Sequence, residues 1–215
     1  MRVDRSITPS ISIVIITLDS HLAGPAARAE ARLSKIIPGV RLSVHAAAEW
    51  AENPASLEAA KAAIAGGDII LSTLLFLDEH IRAIEPALVA RRDACDAMVG
   101  IIAGSEIVKL TKLGKLDMTV PASGVMAMLK KLRGSTKPST ASGAKQMKML
   151  RRLPRILRFI PGKAQDLRAY FLTMQYWLGG SDDNVEAMVR FLISRYASGP
   201  RAALAEGLTA DAPME

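Results

Sequence analysis

ISIVIITLDS, residues 11–20, is the stretch on which the fold turns. Five of the seven residues from Ile11 to Thr17 are Ile or Val, with no polar–apolar alternation, and Asp19-Ser20 closes the run. A strand that can be apolar on both faces belongs inside a parallel sheet covered by helices on either side. The neighbouring sequence repeats the theme. Residues 23–37 are Ala-rich and stop at Pro38-Gly39, the punctuation of a helix end. Residues 40–46 alternate, with Val40, Leu42 and Val44 on one face, which predicts a strand half open to solvent. Asn53-Pro54 opens a second helix and Gly66-Gly67 closes it; residues 68–76 are a third strand. A helix over residues 78–94, kinked at Pro86, precedes a fourth strand at 97–103. Gly104-Ser105 then starts a helix extending to Lys115, whose lysines suit a C-terminal dipole. Strands alternating with helices imply a three-layer α/β domain over residues 11–120, with a mainly parallel four-stranded sheet of undetermined order.

Beyond residue 120 the pattern is helical. Helices are expected at 123–133, at 144–160 with an interruption at Pro154, at 163–178, and from Ser181-Asp182-Asp183 to Tyr196. Residues 134–143, GSTKPSTASG, read as a connector. The expected organisation is a flexible tail at 1–10, the α/β domain at 11–120, a helical basic unit at 121–199 and an unstructured end at 200–215. Tyr170, Phe171, Met174, Trp177 and Leu178 offer more apolar surface than a lone amphipathic helix needs. Part of it is expected to be interface, covered by the last helix, a second copy or further polypeptide.

The charge is unevenly spread. The net charge is +7, yet residues 118–165 contain 11 basic and no acidic residues, leaving −4 for the remainder. Within this stretch Arg151, Arg152, Arg155 and Arg158 interleave with Leu150, Leu153, Ile156 and Leu157, the pattern of an amphipathic basic helix and not of a base-stacking groove. It suits a solvated face, an anionic ligand, an acidic partner or a membrane surface; nucleic acid is not expected, because the α/β half is acidic. A single cysteine, Cys95, excludes an internal disulfide framework and reads as a small core residue. The longest apolar run, residues 69–77, is too short to span a bilayer, and export is not expected.

Ligands of open parallel sheets sit beyond the carboxyl ends of the strands. The residues expected there include Asp19, His21, Asp78, Glu79, His80 and Glu106, a polar set able to move protons or hold a cation, though helix capping explains most of the acids more simply. No metal site and no catalytic residue is assigned. The turn LDSHLAGPA, residues 18–26, carries neither a dinucleotide fingerprint nor a phosphate-loop lysine, so ATP binding by this stretch is not expected.

Three strings carry a resemblance: IITLDSHLAG (15–24), LFLDEHIRAIEPALVARRDACDAMV (75–99) and, most specifically, the long segment from Ser142 to Ala197 with FIPGKAQDLRAYFLTMQYWLGGSDDN (159–184) inside it, with a trailing GPR at 199–201. They resemble the N-terminal region of the large (H) subunit family of magnesium chelatases, and more distantly that of cobalt chelatases. The resemblance implies a head of a porphyrin-binding scaffold in an ATP-dependent complex that inserts Mg²⁺ into protoporphyrin IX in (bacterio)chlorophyll synthesis. It also implies two smaller subunits that form an AAA+ motor, and a cytoplasmic location with peripheral contact to the photosynthetic membrane. The family's chains are several times longer, so this one reads as an excised fragment, inactive alone and with no cofactor of its own. The family's porphyrin-enclosing residues belong to later parts of the long chain, and none maps here. The head is then either part of the porphyrin cavity, with the four arginines pairing propionates, or a docking module without ligand contact.

Overall fold

The computed structural model describes residues 9–120, 154, 157–158 and 161–214. The helix expected at 123–133, the connector at 134–143, most of the helix at 144–160 and most of the tail at 1–10 lie outside the described residues. The sheet has six strands: β1 (Ile11–Thr17), β2 (Val40–Ala46), β3 (Ile69–Thr73), β4 (Ala97–Ile101), β5 (Lys112–Leu113) and β6 (Leu116–Asp117). They lie in the order β2-β1-β3-β4-β5-β6. The first four are parallel, with Ile13 opposite Leu42 and Ile69, and Leu71 opposite Val99. The expected α/β architecture with a mainly parallel sheet is the one observed, with six strands in place of the four expected.

Two helical layers bury the two faces. On one side α1 (Ala23–Leu33) lies with α5 (Lys163–Gly179) and α6 (Asp182–Tyr196), and the core joins Ile13, Ile15, Leu71 and Val99 to Leu167, Met188 and Leu192. On the other, α2 (Pro54–Gly66) and α3 (Asp78–Arg91) cover Val14, Ile16, Ile70 and Met98 with Ile64, Ile84 and Leu88. Successive β-strand residues point to opposite faces, so the unbroken Ile/Val run of β1 feeds both cores at once. Each fully buried Ile or Leu is worth about 1.5–3 kcal/mol of transfer free energy, the main source of stability in a chain without disulfides. The helical part completes this sandwich: α5 and α6 share one core with the sheet. Pro86 is accommodated inside α3.

Two expectations from the sequence are overturned. Residues 105–115 are not one helix. A single turn, α4 (Ser105–Val108), is followed by the β5–β6 hairpin, which adds antiparallel strands to the sheet. In KLGKL, residues 112–116, Leu113 and Leu116 pair across a two-residue turn and are both buried, and Gly114 takes a positive φ of 53° in the turn. Asp166 of α5 pins this turn by accepting the Lys115 N–H at 2.9 Å, and the Tyr196 hydroxyl donates to the same carboxylate at 3.1 Å. Gly100 of β4 lets the α4 turn come close, since a Cβ there would stand 2.4 Å from the Ile107 carbonyl oxygen.

The second correction concerns the end of the chain. Residues 200–214, expected to lack structure, begin in a 3₁₀ helix (Gly199–Ala205) and lay Leu204, Leu208 and Ala210 against the core. Arg201 forms a two-pronged ion pair with Asp96, both bonds at 2.9 Å. The Tyr176 hydroxyl donates to the Asp211 carbonyl at 2.5 Å, and Asn184 holds both backbone groups of Met214, at 2.9 and 3.2 Å. These attachments are polar and long-range in sequence, which is why no apolar periodicity announces them.

Candidate functional site

The order β2-β1-β3-β4 places a topological switch between β1 and β3: the chain leaves β1 for β2 on one side and returns to β3 on the other. Diverging connections open a crevice at the carboxyl ends of such strands. A crevice of about 430 Å³ is found there, lined by His21 and Leu22 after β1, Leu74 after β3, and Trp177, Leu178, Gly179, Gly180 and Ser181 at the α5–α6 corner. The lining is mostly apolar, with the His21 ring 6.4 Å from Trp177 in an edge-on arrangement.

This edge is also strained and incompletely hydrogen-bonded. Leu74 and Ile102, the residues just past β3 and β4, take positive φ of 57° and 48°, and the Leu74 N–H donates to the Ile102 carbonyl at 2.8 Å. Left-handed backbone costs about 1–3 kcal/mol at a non-glycine residue and gathers at functional edges. Thr17, Ser72 and Thr73, the last residues of β1 and β3, are buried with hydroxyls that have no hydrogen-bond partner among the described residues. An unpaired buried hydroxyl is unusual enough to need a reason.

The six acids and histidines proposed for the strand ends are not assembled into one centre. Asp19 and His21 pair with each other, and the bonds from His21 hold the Asp19 carboxyl below its usual range. His80 instead packs edge-on to Trp50, ring centres 5.8 Å apart, with its Nε2 3.8 Å from Glu79. The His80 Nδ1 and the Trp50 Nε1 are buried without partners among the described residues. Asp78 makes an exposed pair with Arg82 at 3.4 Å. Glu106 bonds its own N-terminal turn and Ser105, which lowers its pKa, as a first-turn helix acid does. Among the described residues no group of three or more His, Cys, Asp or Glu is arranged to hold a metal ion.

Of the basic set, Arg158 is described and exposed; Arg151, Arg152 and Arg155 lie outside the described residues. Of the stripe expected to be part interface, Trp177 is 4% exposed and forms the crevice wall from within the core, and Phe171 is buried too; Leu178 is 54% exposed. Tyr170 donates to the Gly100 carbonyl at 3.1 Å, and burial pushes its phenol up to about 12. The sequence placed a ligand crevice at the carboxyl ends of the strands, and His21 of the expected set lines it, but the α5–α6 wall was not anticipated. Its one legible signal is the Gly179-Gly180-Ser181 corner, where Gly180 has a φ of 64° and Ser181 caps α6. No helix among the described residues is long and apolar enough to cross a membrane.

The family model "Domain of unknown function (DUF3479)" matches residues 12–171, which runs from β1 into α5. The chain belongs to the DUF3479 family. Among characterised relatives, this DUF3479 chain is 63% identical over 186 residues to the magnesium-chelatase H subunit of Rhodobacter capsulatus, covering 86% of the chain and 16% of the relative. It is 61% identical over 191 residues to the same protein of Cereibacter sphaeroides, covering 89% and 16%. The chloroplastic magnesium-chelatase ChlH protein of Oryza sativa is 29% identical over 62% of the chain and 10% of its own length. The chain thus spans about one-sixth of the length of the bacterial relatives it matches.

Proposed function

We propose that this chain is the N-terminal head of an H-type large subunit of magnesium chelatase, the ATP-dependent complex that inserts Mg²⁺ into protoporphyrin IX in (bacterio)chlorophyll synthesis. The observation that carries the reading is 63% identity sustained across 86% of the chain to a protein of that name. A shared fold alone does not require such agreement. Protoporphyrin IX and Mg²⁺ are substrates of the whole complex, ATP is consumed by two smaller AAA+ partner subunits, and this stretch holds no cofactor of its own. The complex works in the cytoplasm, with peripheral contact to the photosynthetic membrane.

Within it the head serves as a docking and orientation module. The basic set supports this reading better than the scattered acids support chemistry. Arg151, Arg152, Arg155 and Arg158 supply the contact to an acidic partner surface, and Arg158 is exposed to meet one; pairing of the same arginines with porphyrin propionates is the alternative, in which the head is part of the porphyrin cavity.

The test is Mg-porphyrin formation, followed by fluorescence, with the full-length subunit, both partners, Mg²⁺ and ATP. The full-length protein is expected to be active and residues 1–215 alone inactive. Insertion of Co²⁺ into a corrinoid precursor in place of this activity would move the protein to the cobalt branch. Replacing the four arginines by Gln in the full-length subunit is expected to weaken porphyrin loading or assembly and to flatten its salt dependence.

A further inference from the structure

We infer that the switch-point crevice is the seat of the polypeptide that follows Met214 in the full-length protein, an apolar segment of the same chain packed between the β1 and β3 ends and the α5–α6 corner. The inference rests on the chain being part of an H-type large subunit, and so on further polypeptide existing. The matched relatives are about six times longer, since the chain covers 16% of them.

Two observations choose this occupant. The first is where the backbone is led. The Tyr176 hydroxyl and the Asn184 amide hold residues 211–214 to the α5–α6 corner, and Asn184 is 2% exposed, a buried side chain committed to both the N–H and the carbonyl of Met214. The Met214 carbonyl oxygen stands 2.9 Å from where a Cβ on Gly179 would lie, and Gly179 is part of the crevice lining. The chain is therefore delivered to the rim of the crevice in a fixed position. Ordering a flexible segment costs conformational entropy, and an anchor at the rim reduces what the next segment must lose on entering.

The second observation is the distribution of exposed apolar side chains. Seven large ones are more than 45% exposed among the described residues, and Leu178, Met214, Phe76 and Leu77 lie at the crevice or on the loops that lead from it. Leu178 belongs to the lining, Met214 to the anchored end, and Phe76-Leu77 to the turn that leaves Leu74. Leu178 in the lining and Met214 at the rim leave apolar side chains in solvent at an apolar crevice, which calls for an apolar cover.

Thiol labelling of the full-length subunit tests this. Leu178→Cys is compared with Val89→Cys and Ile36→Cys, which replace residues 52% and 51% exposed and away from the crevice lining. In each case the reaction with a maleimide is followed at the introduced cysteine by mass spectrometry. The expected result is labelling at residue 178 slower by about tenfold than at the faster control, the protection given by a surface covered ~90% of the time, and unchanged on dilution. Adding Asn184→Ala, which frees Met214, should raise the rate at residue 178 toward the controls. Equal rates at the three sites overturn the proposal. Protection that vanishes on dilution assigns the crevice to a second copy, and protection that appears only with partner subunits or protoporphyrin assigns it to them; each also overturns it. Chelatase activity of the parent protein is scored separately, so an inactive parent counts against the functional reading while the labelling ratio still decides this one.

Discussion

The two edges of the sheet are built on opposite terms. At the amino edge, Asp68 and Asp96, the residues just before β3 and β4, are saturated with partners. Asp68 accepts the Ser12 N–H at 2.9 Å and faces Arg91 and Arg201 at 3.8 and 3.4 Å. Asp96, its side chain 3% exposed, takes both prongs of Arg201 and the N–H and hydroxyl of Ser198 at 3.2 and 2.5 Å. At the carboxyl edge, Thr17, Ser72 and Thr73 hold hydroxyls unpaired among the described residues, Leu74 and Ile102 are left-handed, and apolar side chains stand in solvent. The amino edge is where the fold is locked. The carboxyl edge is where free energy has been left unrecovered in this chain, as expected of a surface shaped for something else.

The largest effect that tests this contrast is Trp177→Ala. If the crevice wall is core, the change costs about 3–5 kcal/mol, seen as a lower urea midpoint. A near-neutral result would mean that Trp177 serves only as surface. Next comes Asp96→Ala, which leaves Arg201 with only its 3.4 Å contact to Asp68 and strips the Ser198 groups of their acceptor. Because Arg201 is partly exposed, the expected loss is about 2–3 kcal/mol, below the full figure for a broken buried pair.

The same aspartate makes a pH prediction. Burial pushes the Asp96 carboxyl up, but the bonds from Arg201 and Ser198 outweigh it and leave the pKa below the usual carboxylate value. A carboxylate depressed by folding adds stability that is fully present above its unfolded pKa and is lost as pH falls through the folded one. Wild type should therefore lose stability on acidification below about pH 4, and Asp96→Asn should show a shallower loss when denaturation midpoints are compared across that window. Parallel curves would remove Asp96 from the account. The smallest expected effect is at the other edge. Thr73→Val replaces an unpaired buried hydroxyl by a methyl of similar shape, and should be neutral or stabilising by up to about 1 kcal/mol in thermal melts. Clear destabilisation would show that the hydroxyl is satisfied in solution.

What could be read from the sequence followed burial. β1, β3 and β4 announced themselves because strands covered on both faces must be continuously apolar, and Pro54 and Ser181 marked helix starts by local chemistry. The β5–β6 hairpin was concealed because Lys112 and Lys115 also satisfy a helix-end pattern; the deciding fact, Asp166 gripping the Gly114-Lys115 turn, comes from 51 residues away. The crevice was legible only as a location, the carboxyl edge. Its walls come from an α5–α6 corner whose placement depends on strand order, and strand order leaves no trace in periodicity. The acids near that edge drew notice by type, whereas Leu74, Thr17 and Thr73 matter through backbone angle and missing partners, which composition does not reveal.

The closing segment runs from Asp96 at one edge of the sheet to Asn184 and Gly179 near the other. It is a tether spanning the height of the sandwich. A pull on the polypeptide beyond Met214 would load its fastenings in series: first the paired backbone bonds at Asn184, then the Tyr176–Asp211 bond, and last the Arg201–Asp96 clamp. The weakest fastenings meet the force first and the charged one last. A pull of that kind would thus free the crevice rim before the Asp96 clamp at the amino end of β4, so residues 201–214 set the order in which the two ends of the sandwich are unfastened.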